Sequence, residues 1–167
     1  MMNKTLLLIL VFFQMVCQAQ KGTPFTELPD PTADTLSDWS KIKPGLHSSF
    51  VSIDTRFPRS VAPEVAVQNK AALWGWRGER VSAQVLLWTA ATVKGVSVNL
   101  SDFTSAAGKL PASIASARFM RYVMTDEFAA GCGYRKPENF AASLSPDMLD
   151  DLKKFDVEAK KARPVWI

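Results

Sequence analysis

Arg80-Val81-Ser82-Ala83-Gln84-Val85-Leu86-Leu87-Trp88-Thr89 (residues 80–89) alternates with a period of two. Val81, Ala83, Val85 and Leu87 share one face, and Ser82 and Gln84 share the other until Leu86 and Trp88 turn that face apolar as well. A two-residue period is the signature of a strand. A strand that becomes apolar on both faces belongs inside a sheet or beneath another element.

Shorter segments of the same kind lie on either side. In residues 49–57, Val51, Ile53 and Phe57 have one parity and Ser52, Asp54 and Arg56 the other, before Pro58 and Pro63 interrupt. Residues 71–76 form an apolar run closed by Arg77-Gly78-Glu79. Val96, Val98 and Leu100 alternate with Ser97 and Asn99, and Ala107-Gly108-Lys109 marks the next turn. Met120, Tyr122 and Met124 flank Arg121 in the same way. Short alternating segments separated by Gly, Pro and Ser predict an all-β chain, an antiparallel β-sandwich. Residues 145–155 are the exception: Ser145 suits a cap, Pro146 a first turn, and Met148, Leu149, Leu152 and Phe155 have helical spacing. Phe155-Asp156-Val157 reads equally well as the start of a strand.

The N-terminus has the form of a secretory signal over residues 1–19, with basic Lys4, an apolar stretch from Leu6 to Val16, and Cys17-Gln18-Ala19 at the cleavage site. A lipoprotein signal acylated at Cys17 would need a small residue before the cysteine, and Val16 fits that poorly. The predicted location is outside the cytoplasm: periplasmic, cell-surface or extracellular. Residues 20–43, rich in Thr, Pro, Asp and Ser, read as a linker or strap anchored by Trp39 and Ile42, ahead of a domain over 44–167. At the other end, Pro164-Val165-Trp166-Ile167 reads as the opening of an apolar strand. An unpaired apolar edge is an aggregation hazard, so the expectation is a piece of something longer, with an exposed sheet edge and a tendency to aggregate.

The 167 residues, 47% hydrophobic and 22% charged, leave room for one domain after the leader. The net charge of +4 is scattered, and Lys153, Lys154, Lys160 and Lys161 are interleaved with acids, which describes a solvated surface and no nucleic-acid or anionic-membrane footprint. The apolar leader is too short to span a bilayer comfortably. One histidine, His47, and no paired cysteines give no metal-ligand spacing, and no phosphate loop or nucleophile elbow suggests a cofactor or a serine hydrolase. With Cys17 removed, Cys132 is the remaining cysteine, and the Gly131-Cys132-Gly133 turn suits a small buried side chain.

Asp126-Glu127 is an acid pair at a strand end, the raw material of glycoside hydrolysis. Neighbours on extended backbone point to opposite faces, however, which favours surface acids over a small independent hydrolase. Trp74, Trp76, Trp88 and Tyr134 form a candidate carbohydrate-binding set, since exposed aromatic faces stack on sugar rings. The shared parity of Trp74 and Trp76 is also that of core residues.

A series of motifs carries a family resemblance. Trp76-Arg77-Gly78-Glu79-Arg80-Val81-Ser82-Ala83-Gln84, then Val96-Ser97-Val98 with Leu100-Ser101-Asp102-Phe103, resemble the N-terminal β-sandwich region of glycoside hydrolase family 123. Phe119-Met120-Arg121-Tyr122-Val123, Gly131-Cys132-Gly133-Tyr134-Arg135, Pro146-Asp147-Met148-Leu149 and Arg163-Pro164-Val165-Trp166-Ile167 follow in the same order. The likeness runs from about Trp39 onward. It implies a relative of retaining, substrate-assisted β-N-acetylgalactosaminidases, whose Asp-Glu pair sits in a (β/α)-barrel after the sandwich. It therefore implies no catalytic residue in this chain, a downstream catalytic barrel as partner, and a glycan as substrate. It also reduces residues 145–155 to a short helical turn at most. The alternative is a stand-alone exported carbohydrate-binding module.

Overall fold

The computed structural model describes residues 25–31, 37–125 and 142–167. Nine strands form among them: β1 (His47–Val51), β2 (Gln84–Thr89), β3 (Val93–Val96), β4 (Phe103–Ser105), β5 (Gly108–Leu110), β6 (Arg118–Thr125), β7 (Ser143–Asp150), β8 (Phe155–Val157) and β9 (Lys161–Trp166). Helical structure among the described residues is limited to two single 3-10 turns, Trp39–Lys41 and Ala112–Ile114. The chain is all-β, and every strand pairing is antiparallel. Five strands form the main sheet in the order β1-β2-β9-β6-β7, while β3-β8 and β4-β5 are two-stranded.

β2 lies between β1 and β9, where its two apolar faces require it to be. Leu87 and Val85 pack on one face with Phe119, Phe155, Val157, Val165 and Val96, so that the β3-β8 pair forms a second layer there. The Phe119 and Phe155 rings stack at 5.2 Å between centroids. Leu86 and Trp88 point to the other face and meet Trp39, Ala162, Ile42, Phe57 and Val65, most of them from irregular chain. Trp39 Nε1 also donates to the Ser60 carbonyl at 3.1 Å.

Several expectations are corrected. Residues 145–155 are neither helix nor helical turn: β7 pairs with β6 from Thr125↔Ser143 to Phe119↔Asp150. A full ladder outweighs a helical spacing of four apolar residues in so short a segment. β7 is an edge strand, where a proline is tolerated, and Pro146 sits beside the register shift between Arg121 and Tyr122. Residues 49–57 are strand only as far as Val51, and the fourth predicted strand lies earlier, at Val93–Val96. Residues 71–76 form no strand.

The C-terminal segment is the largest correction. It is no unpaired edge, because β9 runs from Lys161 in the middle of the sheet and pairs with β2 from Thr89↔Lys161 to Gln84↔Trp166. The ladder continues through reciprocal Ala83–Ile167 backbone bonds of 2.9 Å. Toward β6, by contrast, β9 pairs only at Arg118↔Trp166 and Phe119↔Val165. Continuing that register would set Pro164 against Met120, and proline has no N–H to give. The strands part there, and the orphaned Met120 carbonyl accepts from Arg163 Nη1 at 2.9 Å. One step on, Ala162 N–H turns to the Arg59 carbonyl at 2.8 Å.

Candidate functional site

The most unusual surface lies between β1 and β2. Residues 66–68 first run beside β1, with Phe50 N–H donating to the Gln68 carbonyl at 2.9 Å and Gln68 N–H to Ser49 Oγ at 2.8 Å. The chain then leaves the sheet and presents Leu73, Trp74 and Trp76 to solvent, with Trp74 91% and Trp76 85% exposed. A tight turn holds this tip. Glu79 N–H donates to the Trp76 carbonyl at 2.9 Å, and Trp76 N–H donates to the Glu79 carboxylate at 2.6 Å. Gly78 has φ +86°, a conformation that L side chains rarely adopt, and a Cβ on Gly75 would lie 2.5 Å from Val81 Cγ1. The two glycines therefore let the turn close and the returning strand approach. Trp74 and Trp76 do not occupy the core that their parity suggested, because the run that carries them is not part of a sheet.

Of the predicted carbohydrate-binding residues, Trp74 and Trp76 are both exposed, whereas Trp88 is buried. Trp88 is 4% exposed, and its ring stacks on His47 at 5.6 Å with 19° between planes. It has no free face to offer a sugar. Tyr134, the Asp126-Glu127 pair, Cys132 and the leader with Cys17 lie outside the described residues.

A second constellation went unnoticed in the sequence. Where β6 and β9 part, the carboxylate of Glu27 enters from the strap. Its Oε2 accepts from Arg163 Nη2 at 2.9 Å and from Arg59 Nη1 at 3.0 Å. Its Oε1 accepts from Tyr122 N–H at 3.0 Å and from Arg163 Nη1. Both guanidinium groups and the carboxylate are at most 9% exposed. Burial pushes the Glu27 carboxyl up, but hydrogen bonding and charge from Arg163, the Tyr122 N–H and Arg59 outweigh it and hold the group below its ordinary value. Tyr122 is buried against the same group, and burial pushes its phenol far above the ordinary range. Its hydroxyl donates to the Phe57 carbonyl at 2.7 Å and approaches the Ala162 carbonyl at 3.3 Å. The available sequence signal was an arginine at 163 inside an apolar strand and a glutamate between Phe25 and Leu28 in the strap.

Two of the grooves on the described surface adjoin these groups or the strand ends. One, of about 220 Å³, lies between Arg56, Gln84, Met120, Asp147 and Trp166. Its polar groups serve the fold: the Gln84 amide donates to the Ser52 and Thr55 carbonyls, and Arg56 to the Pro146 carbonyl. The other, of about 470 Å³, borders the Glu27 cluster and includes Phe25, Arg121, Phe155, Asp156 and Glu158. Among the described residues, no three His, Cys, Asp or Glu side chains gather to hold a metal ion, and no helix is long and apolar enough to cross a membrane.

Residues 50–167 match the family described as the glycoside hydrolase 123 N-terminal domain. No curated protein matches the sequence. Among solved structures, the chain is similar to a family 123 glycoside hydrolase from Clostridium perfringens, analysed for the details of glycolipid glycan hydrolysis. The identity is 16% and the TM-score 0.57, over 72% of this chain and 20% of that one. The likeness is one of fold, and this chain spans about a fifth of that enzyme's length.

Proposed function

The chain belongs to the glycoside hydrolase 123 N-terminal domain family, and we propose that it serves there as a non-catalytic domain that docks on the catalytic domain of a glycoside hydrolase through the Trp74–Trp76 tip. The observation that carries this reading is the near-complete exposure of two tryptophans on a closed turn. Two indole side chains offer about 400 Å² of largely apolar surface, within the range of the largest apolar patch on a monomer, which is often a functional one. That is about half of one side of a standard interface of roughly 800 Å² per partner. Tryptophan is the residue type most enriched at the energetic centre of interfaces, and a turn fixed by its own hydrogen bonds loses little entropy on docking.

The parent activity in this proposal is removal of terminal β-linked N-acetylgalactosamine from glycans, carried out by the catalytic domain outside the cytoplasm. The same exposure supports a second reading, a carbohydrate-binding module with Trp74 and Trp76 as its platform. Co-expression with the catalytic domain separates the two. Docking predicts co-purification that is lost in Trp74→Ala/Trp76→Ala, with no signal on a glycan array. Glycan binding by the isolated chain, with no co-purification, would overturn docking in favour of the second reading.

A further inference from the structure

The gap that Pro164 opens between β6 and β9 has the properties of a preformed receptor. Arg163 and Tyr122 are held by contacts that do not involve Glu27. Arg163 is fixed by the Met120 carbonyl and lies over the rings of Tyr122 and Phe155, at 4.9 and 4.5 Å from their centroids. Arg59 is tied by its own carbonyl to Ala162 N–H and lies 6.0 Å from the Tyr122 centroid. Tyr122 is anchored through its hydroxyl.

The group that fills the gap comes from irregular chain. Residues 25–31 contain no strand or helix. Beyond the Glu27 carboxylate, the segment contributes the Leu28 carbonyl to Arg59 Nη2 at 3.1 Å and the Asp30 carboxylate to Ser60 Oγ at 3.0 Å. The buried Nε atoms of Arg59 and Arg163 have no hydrogen-bond partner among the described residues. The groove of about 470 Å³ gives approach to the gap from solvent.

We propose that Arg59, Arg163 and the Tyr122 N–H form a carboxylate-binding site, filled in cis by Glu27, and that residues 25–31 are a tethered ligand of the sheet. The chemistry is that of paired guanidinium groups with a backbone N–H, which select a planar two-oxygen anion by bidentate geometry. When Glu27 is removed, the site accepts a free carboxylate.

The experiment is chemical rescue in the full chain. Thermal unfolding of Glu27→Ala is followed by circular dichroism in sodium formate or sodium acetate against sodium chloride at equal ionic strength and neutral pH. The expected result is a melting temperature below that of the parent chain in chloride, and a saturable recovery of several degrees in formate and acetate. The parent chain and Glu27→Gln, whose slots are occupied, should respond no more to acetate than to chloride. If Glu27→Ala is unfolded in chloride, acetate should restore its near-ultraviolet signal. Superimposable chloride and carboxylate series for Glu27→Ala, or an equal response of the parent chain, would mean a general salt effect only and would overturn the proposal.

Discussion

Replacing Trp88 and Trp74 by alanine, one at a time, should have very unequal consequences for stability. The Trp88 side chain is buried between β1 and β9, in contact with the cluster of Trp39, Leu86 and Ala162. Truncation removes about 200 Å² of buried surface, worth up to about 5 kcal/mol at 25 cal/mol per Å². Core tryptophan truncations generally cost about 3–5 kcal/mol, so about 4 kcal/mol is expected for Trp88→Ala. At roughly 2–4 °C per kcal/mol for a chain of this size, the melting temperature falls by roughly 8–16 °C. Trp74, 91% exposed, gives up almost no buried area, and Trp74→Ala should stay within about 0.5 kcal/mol of the parent. Urea unfolding monitored by far-ultraviolet circular dichroism measures both. A loss of 2 kcal/mol or more at Trp74, or of less than 1 kcal/mol at Trp88, would refute the assignment of one ring to the core and the other to a docking tip.

Two further predictions concern the buried charges. Glu27→Ala leaves two guanidinium groups without their carboxylate and should cost about 3–5 kcal/mol at neutral pH by denaturant unfolding. Because folding holds the Glu27 carboxyl below its ordinary value of 4.5, its contribution is complete above that pH and is lost as the pH falls through the lower folded value. Stability measured from pH 6 downward should therefore drop in the parent chain, and Glu27→Gln should lack that part of the drop. Tyr122→Phe removes a hydroxyl that donates to the Phe57 carbonyl and approaches that of Ala162. It should cost about 1–3 kcal/mol, and spectrophotometric titration of the parent chain should show one tyrosine that resists ionisation until the chain unfolds in alkali.

The elements that the sequence revealed are those whose burial depends on their own alternation. β2 announced both its apolar faces, and Met120 and Tyr122 placed β6, because a strand inside a sheet encodes its surroundings in its own side chains. β7 was illegible for the opposite reason. As an edge strand it leaves Leu149 exposed, and the apolar spacing that remains mimics a helix. β9 was half legible: Val165 gave it away, but Lys161 read as surface and nothing local marked Arg163 as buried. Their partners Ser60 and Glu27 lie far away in the chain, and no local pattern reports such pairing. The tip was ambiguous because Trp74 and Trp76, though candidates for an exposed platform, also have the composition and parity of core residues. What distinguishes them is that nothing among the described residues covers them.

The docking role is tested most directly by isothermal titration of the glycoside hydrolase catalytic domain into the chain and into its Trp74→Ala/Trp76→Ala variant. The account predicts a one-to-one complex with the parent chain. With the variant, loss of a tryptophan hot spot worth about 2 kcal/mol or more should weaken binding at least about 30-fold, while its unfolding curve stays that of the parent. No measurable complex with the parent chain, or equal affinity for both proteins, would contradict it.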